Sequence, residues 1–287
     1  MGRIAFVTDS TAGMTQDMVK QYNVSIVALQ VVFGTESFRD GVDLTQQQFY
    51  ERLIKASKLP TTSQPSVGDF ESVYQKLLDD PEVDSIISVH LSPRLPSGTY
   101  SNAVQAADRL SKDSGKKITV IDSNTVWMGE AMLCINGARA AAEGKSHEEI
   151  VKMIEDSKSK VKILVLVDTL EYLQKGGRIG GAQALLGGLL NVKPILHVEN
   201  GRVEPLERVR TRRKAMERLV ELGAEATKGK TCQVAVGHFQ AEQDARTLAG
   251  MVRERLNVKE EFFGELGPVI STHTGPGVLG FVYHILD

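Results

Sequence analysis

Hydroxyl groups gather at two places in this 287-residue chain, and a histidine stands in a third conspicuous setting. Thr61-Thr62-Ser63-Gln64 lies in an expected loop between Pro60 and Pro65, Ser97-Gly98-Thr99-Tyr100 lies where a helical pattern begins, and His273-Thr274-Gly275-Pro276-Gly277 follows an apolar run near the C-terminus. Three adjacent hydroxyls can bind a carboxylate or phosphate oxygen, and the same residues can make ordinary turn and cap contacts. Ser97 or Thr99 could cap the helix that follows. Their hydroxyls, with the free N–H groups of a helix start, could instead hold an anion at the positive end of the helix dipole. His273, expected at a strand end beside a tight turn, could move a proton, but no Ser-x-Gly nucleophile elbow accompanies it. Nor does a His-x-x-x-His pair or a Cys-x-x-Cys, so no catalytic residue and no metal site is expected.

Two glycine motifs invite a nucleotide reading and do not support it. Gly176-Gly177-Arg178-Ile179-Gly180-Gly181 can present N–H groups to an anion, but its spacing is not Gly-x-Gly-x-x-Gly. A tight turn needing φ > 0 explains it better. Gly229-Lys230-Thr231 resembles the end of a P-loop, yet Ala224 stands where the first glycine belongs, and a helix precedes it rather than a strand. Arg202, Arg208, Arg210, Arg212 and Arg213 form a basic cluster. It is either a solvated face balanced by Glu204, Glu207 and Glu217 or a docking patch for an acidic partner or for nucleotide phosphates.

These residues must be positioned by a sizeable scaffold. Hydrophobic residues make up 41% and charged residues 24% of the chain, which is ordinary globular composition. The net charge of −2 argues against a surface built for nucleic acid. Cys134 and Cys232 both lie in apolar surroundings, as reduced, packed thiols would. No signal peptide is expected, since Gly2-Arg3 runs straight into the strand-like Ile4–Val7. No apolar run is long enough to span a bilayer. A cytoplasmic protein is the expectation, without stable membrane insertion, although transient membrane contact is compatible with it.

Short apolar runs alternate with helical patterns. Strands are expected at Ile4–Val7, Val24–Phe33, Ser85–Val89 and Ile118–Ile121. Helices are expected at Thr15–Tyr22, Thr45–Ser57 with a Thr45/Gln48 capping box, Gly68–Leu78 capped by Ser66, Tyr100–Ser111, and Val126–Glu143 ended by Gly144. That βαβα order implies a parallel sheet covered on both faces. Three of its strands end in polar clusters, at Thr8-Asp9-Ser10-Thr11, His90-Leu91-Ser92 and Asp122-Ser123-Asn124, and ligands bind beyond such strand ends. After an amphipathic helix at Ser146–Ser159, a strand at Val161–Val167 opens a second unit. Glu199-Asn200-Gly201, flanked by Val192–Val198 and Arg202–Arg208, signals a hairpin. A helix at Thr211–Thr227, a strand at Thr231–Phe239 and a helix at Ala241–Leu256 follow. Strands at Glu260–Leu266 and Val269–Thr272 and a last helix at Val278–Ile285 complete the pattern. Hairpins among crossovers predict a mixed sheet.

Taken together, Thr8-Asp9-Ser10, Thr62-Ser63-Gln64-Pro65-Ser66, Ser97-Gly98-Thr99-Tyr100, the stretch from Tyr172-Leu173 to Ile179, Lys193-Pro194-Ile195-Leu196, Asn200-Gly201 and His273-x-Gly275-Pro276-Gly277 resemble the DegV family of fatty-acid-binding proteins. The resemblance covers nearly the whole chain. It implies an α/β fold of two domains: a three-layer α/β/α parallel-sheet domain over 1–160 and a second α/β domain with a mixed sheet over 161–287. The ligand site would lie at their interface. It implies one buried long-chain fatty acid, such as palmitate or oleate, and no other cofactor. The carboxylate would be held by Thr62 and Ser97 with His273 close by, supported by Thr61, Gly98 and Thr99. In the FakB branch of the family the bound lipid is presented to a separate fatty acid kinase for acyl phosphate formation. Arg202 and Arg210 would then be the docking residues, and the protein would serve phospholipid metabolism as a carrier rather than as an enzyme. The family usually has Leu directly before Ser-Gly-Thr, whereas here Pro96 separates Leu95 from Ser97. Two alternatives stay open: an acyl hydrolase or transferase using His273, and a regulator binding another small anion.

Overall fold

Each apolar run that ends in a polar cluster becomes a strand of one parallel sheet, so the three clusters come together at one edge. The computed structural model describes residues 2–186 and 192–287. Its first part runs β1 (Arg3–Asp9), α1 (Gln16–Tyr22), β2 (Val24–Val27), β3 (Gln30–Phe33), β4 (Glu36–Arg39), α2 (Gln46–Lys55), β5 (Thr61–Ser63), α3 (Val67–Leu78), β6 (Val83–His90), α4 (Thr99–Ser114), β7 (Lys117–Asp122), α5 (Met128–Ala142) and α6 (His147–Ser157). Strands β2-β1-β6-β7 form the all-parallel sheet. The remainder runs β8 (Val161–Leu166), α7 (Glu171–Lys175), β9 (Lys193–Glu199), β10 (Arg202–Val209), α8 (Arg212–Thr227), β11 (Thr231–His238), α9 (Glu242–Arg255), β12 (Asn257–Glu265), α10 (Pro268–Thr274) and β13 (Leu279–Ile285). Here the order β10-β9-β8-β13-β11-β12 is mixed, parallel only between β11 and β12.

Side-chain alternation sets the layers. In β1, Ala5 and Val7 face Phe70 and Tyr74 of α3 and Ala103 and Ala107 of α4, while Phe6 faces α5 and α6. In the mixed sheet, Leu164, Val234 and Phe281 pack on α8 and α9, while Ile163, Ala235 and Val282 join the core that contains α5. Helix α5 therefore lies between the two sheets. That explains why Met128 through Ile135 are all buried, since a helix apolar all round is a core helix. Among the described residues no helix is long and apolar enough to cross a membrane.

Local signals worked where a cap or a turn could act. The Thr45/Gln48 box, the Ser66 cap and a Ser146/Glu149 box are all formed. Asn200 takes φ 48° and Gly201 takes φ 73°, the left-handed pair that a two-residue hairpin turn demands. Four expectations fail. Val24–Phe33 is two strands in different sheets, because the Leu29 N–H donates to Ser10 Oγ at 3.1 Å and the Leu29 carbonyl accepts from Asp40 N at 2.8 Å. Those two bonds turn the chain out into a small β4-β3-β5 sheet. Thr61–Ser63, expected as loop, is the β5 edge of that sheet, with Thr62 opposite Val31. Val269–Thr272, expected as strand, lies in helix α10. Pro268 at the first turn presets its φ, and the Thr272 and Thr274 hydroxyls donate back to the Pro268 and Ile270 carbonyls. Val278–Ile285, expected as helix, becomes β13, which is sandwiched between β8 and β11. A strand buried on both faces shows no alternation, so its apolar run looks like a buried helix.

Candidate functional site

Beyond the carboxyl ends of β1 and β6, side chains from β5, α7, β10 and α10 come together. The meeting point holds a cavity of about 110 Å³, and Thr62, Ser97 and His273 all line it. Thr62 and His273, 211 residues apart in sequence, share a hydrogen bond of 2.8 Å between Oγ1 and Nε2. Strand alternation selects Thr62 from its run of hydroxyls. Thr61 and Ser63 are exposed on the opposite face, so Thr61 does not reach the cavity. His273, expected at a strand end, occupies the last turn of α10 because the run before it is helical.

Ser97 stands just before α4. Its hydroxyl accepts from Thr99 N–H at 3.3 Å and shares a bond with Thr99 Oγ1 at 2.8 Å, while Gly98 is the N-cap position. Thr99 itself is buried beneath Ser97. The additional Pro96 does not displace Ser97 from the cavity. Pro96 is exposed, and its carbonyl accepts a bond of 2.7 Å from Arg178 Nη2, while Leu95 turns inward as part of the wall.

Arg178 joins the site although its place among glycines points to a tight turn rather than to a ligand contact. It lies inside the glycine-rich stretch, lines the cavity and also donates to the Gly176 carbonyl at 2.7 Å. Partial burial lowers its pKa from the ordinary guanidinium value, yet a guanidinium stays charged in proteins. Burial pushes the His273 pKa down to about 4, and the nearby Arg178 charge adds to the effect. The imidazole is therefore neutral at pH 7. His273 Nδ1 has no hydrogen-bond partner among the described residues. Of the two glycines before Arg178, Gly176 serves packing, since a Cβ there would collide with His273 Nδ1, and Gly177 serves the turn, with φ 69°. The polar lining of the cavity thus offers the Thr62 and Ser97 hydroxyls, the Gln64 amide, a neutral imidazole and one cation, while the Thr11 and Thr274 hydroxyls that also reach it donate to Asp9 and to the Ile270 carbonyl. That set suits a single anionic group and supplies no general base of useful strength.

The rest of the space is apolar. A second cavity of about 80 Å³ shares the walls Leu95, Val126, Leu173, Val203, Ile270 and Thr274 with the first, and no polar surface lines it.

Behind the cavity lies a fully buried cluster of Asp9, His90 and Glu130, positioned as metal ligands could be. Hydrogen bonds occupy its donor atoms instead. Asp9 accepts from His90 Nδ1 at 3.0 Å, from Leu91 N at 3.1 Å and from the Thr11 hydroxyl at 2.6 Å. Glu130 accepts from Thr8 at 2.7 Å, and His90 Nε2 is bonded to Ser88 at 2.7 Å. Burial and the Asp9 charge raise the Glu130 pKa well above the carboxylate range. The cluster fixes the turn Ser10–Ala12, from which Thr11 reaches the cavity wall.

The structure does not gather the basic cluster. Arg202 begins β10 next to Val203, a cavity residue, whereas Arg210 follows the other end of that strand. An extended strand rises ~3.4 Å per residue, so the two arginines stand roughly 25 Å apart. Arg212 is engaged by Asp168 and Asp244, and Arg213 by Glu217.

Comparison with known proteins bears on this arrangement. The family described as uncharacterised proteins of the DegV family matches residues 3–285. The protein DegV of Bacillus subtilis (strain 168) is 38% identical over 282 residues, covering 98% of each chain. Among solved structures, a DegV family protein from Thermus thermophilus described by its fatty acid binding superposes with TM-score 0.92 at 36% identity, covering 99% of this chain and 100% of that one. DegV of Bacillus subtilis, described as a fatty acid binding protein, superposes with TM-score 0.88 at 37% identity over 99% of this chain and 100% of that one.

Proposed function

The chain belongs to the DegV family, and from that premise we propose that it binds one long-chain fatty acid between two α/β units that meet near residue 160. The carboxylate sits on Thr62 and Ser97, with His273 orienting Thr62 and Arg178 supplying the positive field. One observation carries this reading: a cavity lined by hydroxyls, an amide, a neutral imidazole and a cation shares a largely aliphatic wall with a second cavity that has no polar surface. Such a site suits a molecule with one anionic end and a hydrocarbon body. Each methylene buried contributes ~0.8 kcal/mol, so the hydrocarbon supplies the affinity and the polar end fixes orientation. The cavities, about 110 and 80 Å³, are smaller than an ordinary ligand pocket of ~300–1,000 Å³. Uptake therefore requires Leu95, Leu173 and Ile270 to move apart.

The finer reading is a carrier of the FakB kind, which presents its carboxylate to a separate fatty acid kinase. Arg202, exposed beside the cavity, supports an approach from that side. The Thr62–His273 pair also favours, on geometry alone, an acyl hydrolase with Thr62 as nucleophile. Against it, His273 has no carboxylate on Nδ1, and a pKa of about 4 makes it a poor base.

Native mass spectrometry of the purified chain, with the released small molecule identified, tests the proposal. A single fatty acid whose occupancy falls in Thr62→Ala supports it. No bound lipid and no uptake of added palmitate or oleate would overturn it. Turnover of acyl esters that His273→Ala abolishes would establish the hydrolase instead.

A further inference from the structure

We infer that Trp127 is the end stop of the acyl site and sets the longest chain it accepts, an inference that rests on the fatty-acid reading above. Trp127 is the only tryptophan in the chain and forms one wall of the apolar cavity of about 80 Å³. Apart from His197 and Gly280, the other walls that this cavity does not share are aliphatic, among them Ile163, Val165, Leu196 and Val278. The polar end of the neighbouring cavity lies on the other side of the shared residues Leu95, Leu173 and Ile270. A chain anchored at Thr62 and running between those three side chains meets the indole with its methyl end.

What makes this wall a stop is how it is held. The indole lies against Gly237 of β11 and Gly280 of β13, which are cross-strand partners. A Cβ at Gly237 would collide with Trp127 Cζ2 and Cη2, and one at Gly280 would stand 3.2 Å from Cζ3. The ring thus rests directly on sheet backbone. On its other side the turn at Gly13 closes in, where a Cβ would be 2.5 Å from Cδ1. The Trp127 backbone has φ 56° and ψ −141°. Large L-residues avoid that region, and it persists only where the surroundings dictate it. Its Nε1–H is buried with no hydrogen-bond partner among the described residues. Neither the backbone angle nor the nitrogen explains a tryptophan here; the ring's bulk at the end of the cavity does. The indole, seated on two strands and met by the Gly13 turn, has no room to withdraw.

The test uses the folded protein and its own tryptophan. Affinities for laurate, myristate, palmitate, stearate and arachidate are measured for the native chain and for Trp127→Leu and Trp127→Phe. The expected result is a shift of the optimum toward longer acids in Trp127→Leu, with about a fourfold gain for each further methylene admitted. An unchanged length profile in folded Trp127→Leu overturns the inference. Stearates brominated near the carboxylate, at mid-chain or near the methyl end then report position in the native protein without any substitution. Quenching of Trp127 should be strongest for bromine near the methyl end, and strongest quenching from bromine near the carboxylate would refute the assignment. Failure of the native chain to bind any of these acids would count against the fatty-acid reading itself, whereas binding without quenching from any bromine position would refute the placement of Trp127 alone.

Discussion

Replacing Thr62 by valine removes one hydroxyl and little else. Valine keeps the branched shape that suits a strand, here β5 and its pairing with Val31. In the free protein His273 Nε2 loses its 2.8 Å partner, and since Nδ1 already has none, the mostly buried ring is left unsatisfied at both nitrogens. A stability loss of about 1–3 kcal/mol is expected, readable by urea unfolding. In the complex, the carboxylate loses a charge-assisted hydrogen bond, about 1.5–3 kcal/mol, which is roughly a ten- to hundredfold weaker dissociation constant. The hydrocarbon contribution is untouched. The assay is displacement of a fluorescent fatty acid by palmitate and, in parallel, by methyl palmitate. Thr62→Val should weaken palmitate by that factor and leave the ester within about twofold. Equal losses for acid and ester would mean that Thr62 shapes the cavity without holding the carboxylate, and an unchanged palmitate affinity in folded protein would refute its role at the head group.

Asp40 is buried between Ser10 and the start of α10, where it accepts from Val269 N–H, and burial pushes its pKa up to about 7 with the Asp9 charge adding. A raised carboxyl pKa contributes stability that is full below the unfolded value of about 4 and is lost as pH rises through about 7. Asp40→Asn should therefore gain on the native chain between about pH 5 and pH 8, by up to about 4 kcal/mol at the upper end; urea midpoints that track the native chain at both pH values would exclude this. Gly176→Ala leaves the backbone unstrained at φ −77° but drives a methyl into His273. Fatty acid affinity should fall about five- to 150-fold, for an overpacking cost of ~1–3 kcal/mol, and retained affinity would show that His273 can shift freely. Arg202→Glu and Arg210→Glu should leave lipid binding intact. If Arg202 faces a kinase, its reversal alone should reduce acyl phosphate formation, since Arg210 lies past the far end of β10; equal loss of lipid binding and coupling would end the docking idea.

Several features follow from the sequence without its partners. The caps at Thr45, Ser66 and Ser146 and the Asn200-Gly201 turn are local contacts between a side chain or a permissive residue and the nearest backbone, complete within a single turn of chain. The order of strands and helices implies the parallel sheet, and with it the gathering of polar strand ends. Residue type likewise marks Thr62, Ser97 and His273 as groups able to hold an anion. Only the tertiary structure decides the remainder. Strand β13 is apolar on both faces because β8 and β11 flank it in the middle of a covered sheet, so its pattern carries no period. Helix α10 is seven residues long, too short for one, and depends on Asp40 from another part of the chain. The alternation that turns Thr62 inward and Thr61 outward exists only once β5 pairs with β3. Arg178 becomes a site residue because its guanidinium reaches the Pro96 carbonyl, 82 residues away, and Trp127 becomes a wall because Gly237 and Gly280 lie beneath it. Local chemistry is written in neighbouring residues, whereas a cavity is made by surfaces that meet only when distant segments pack.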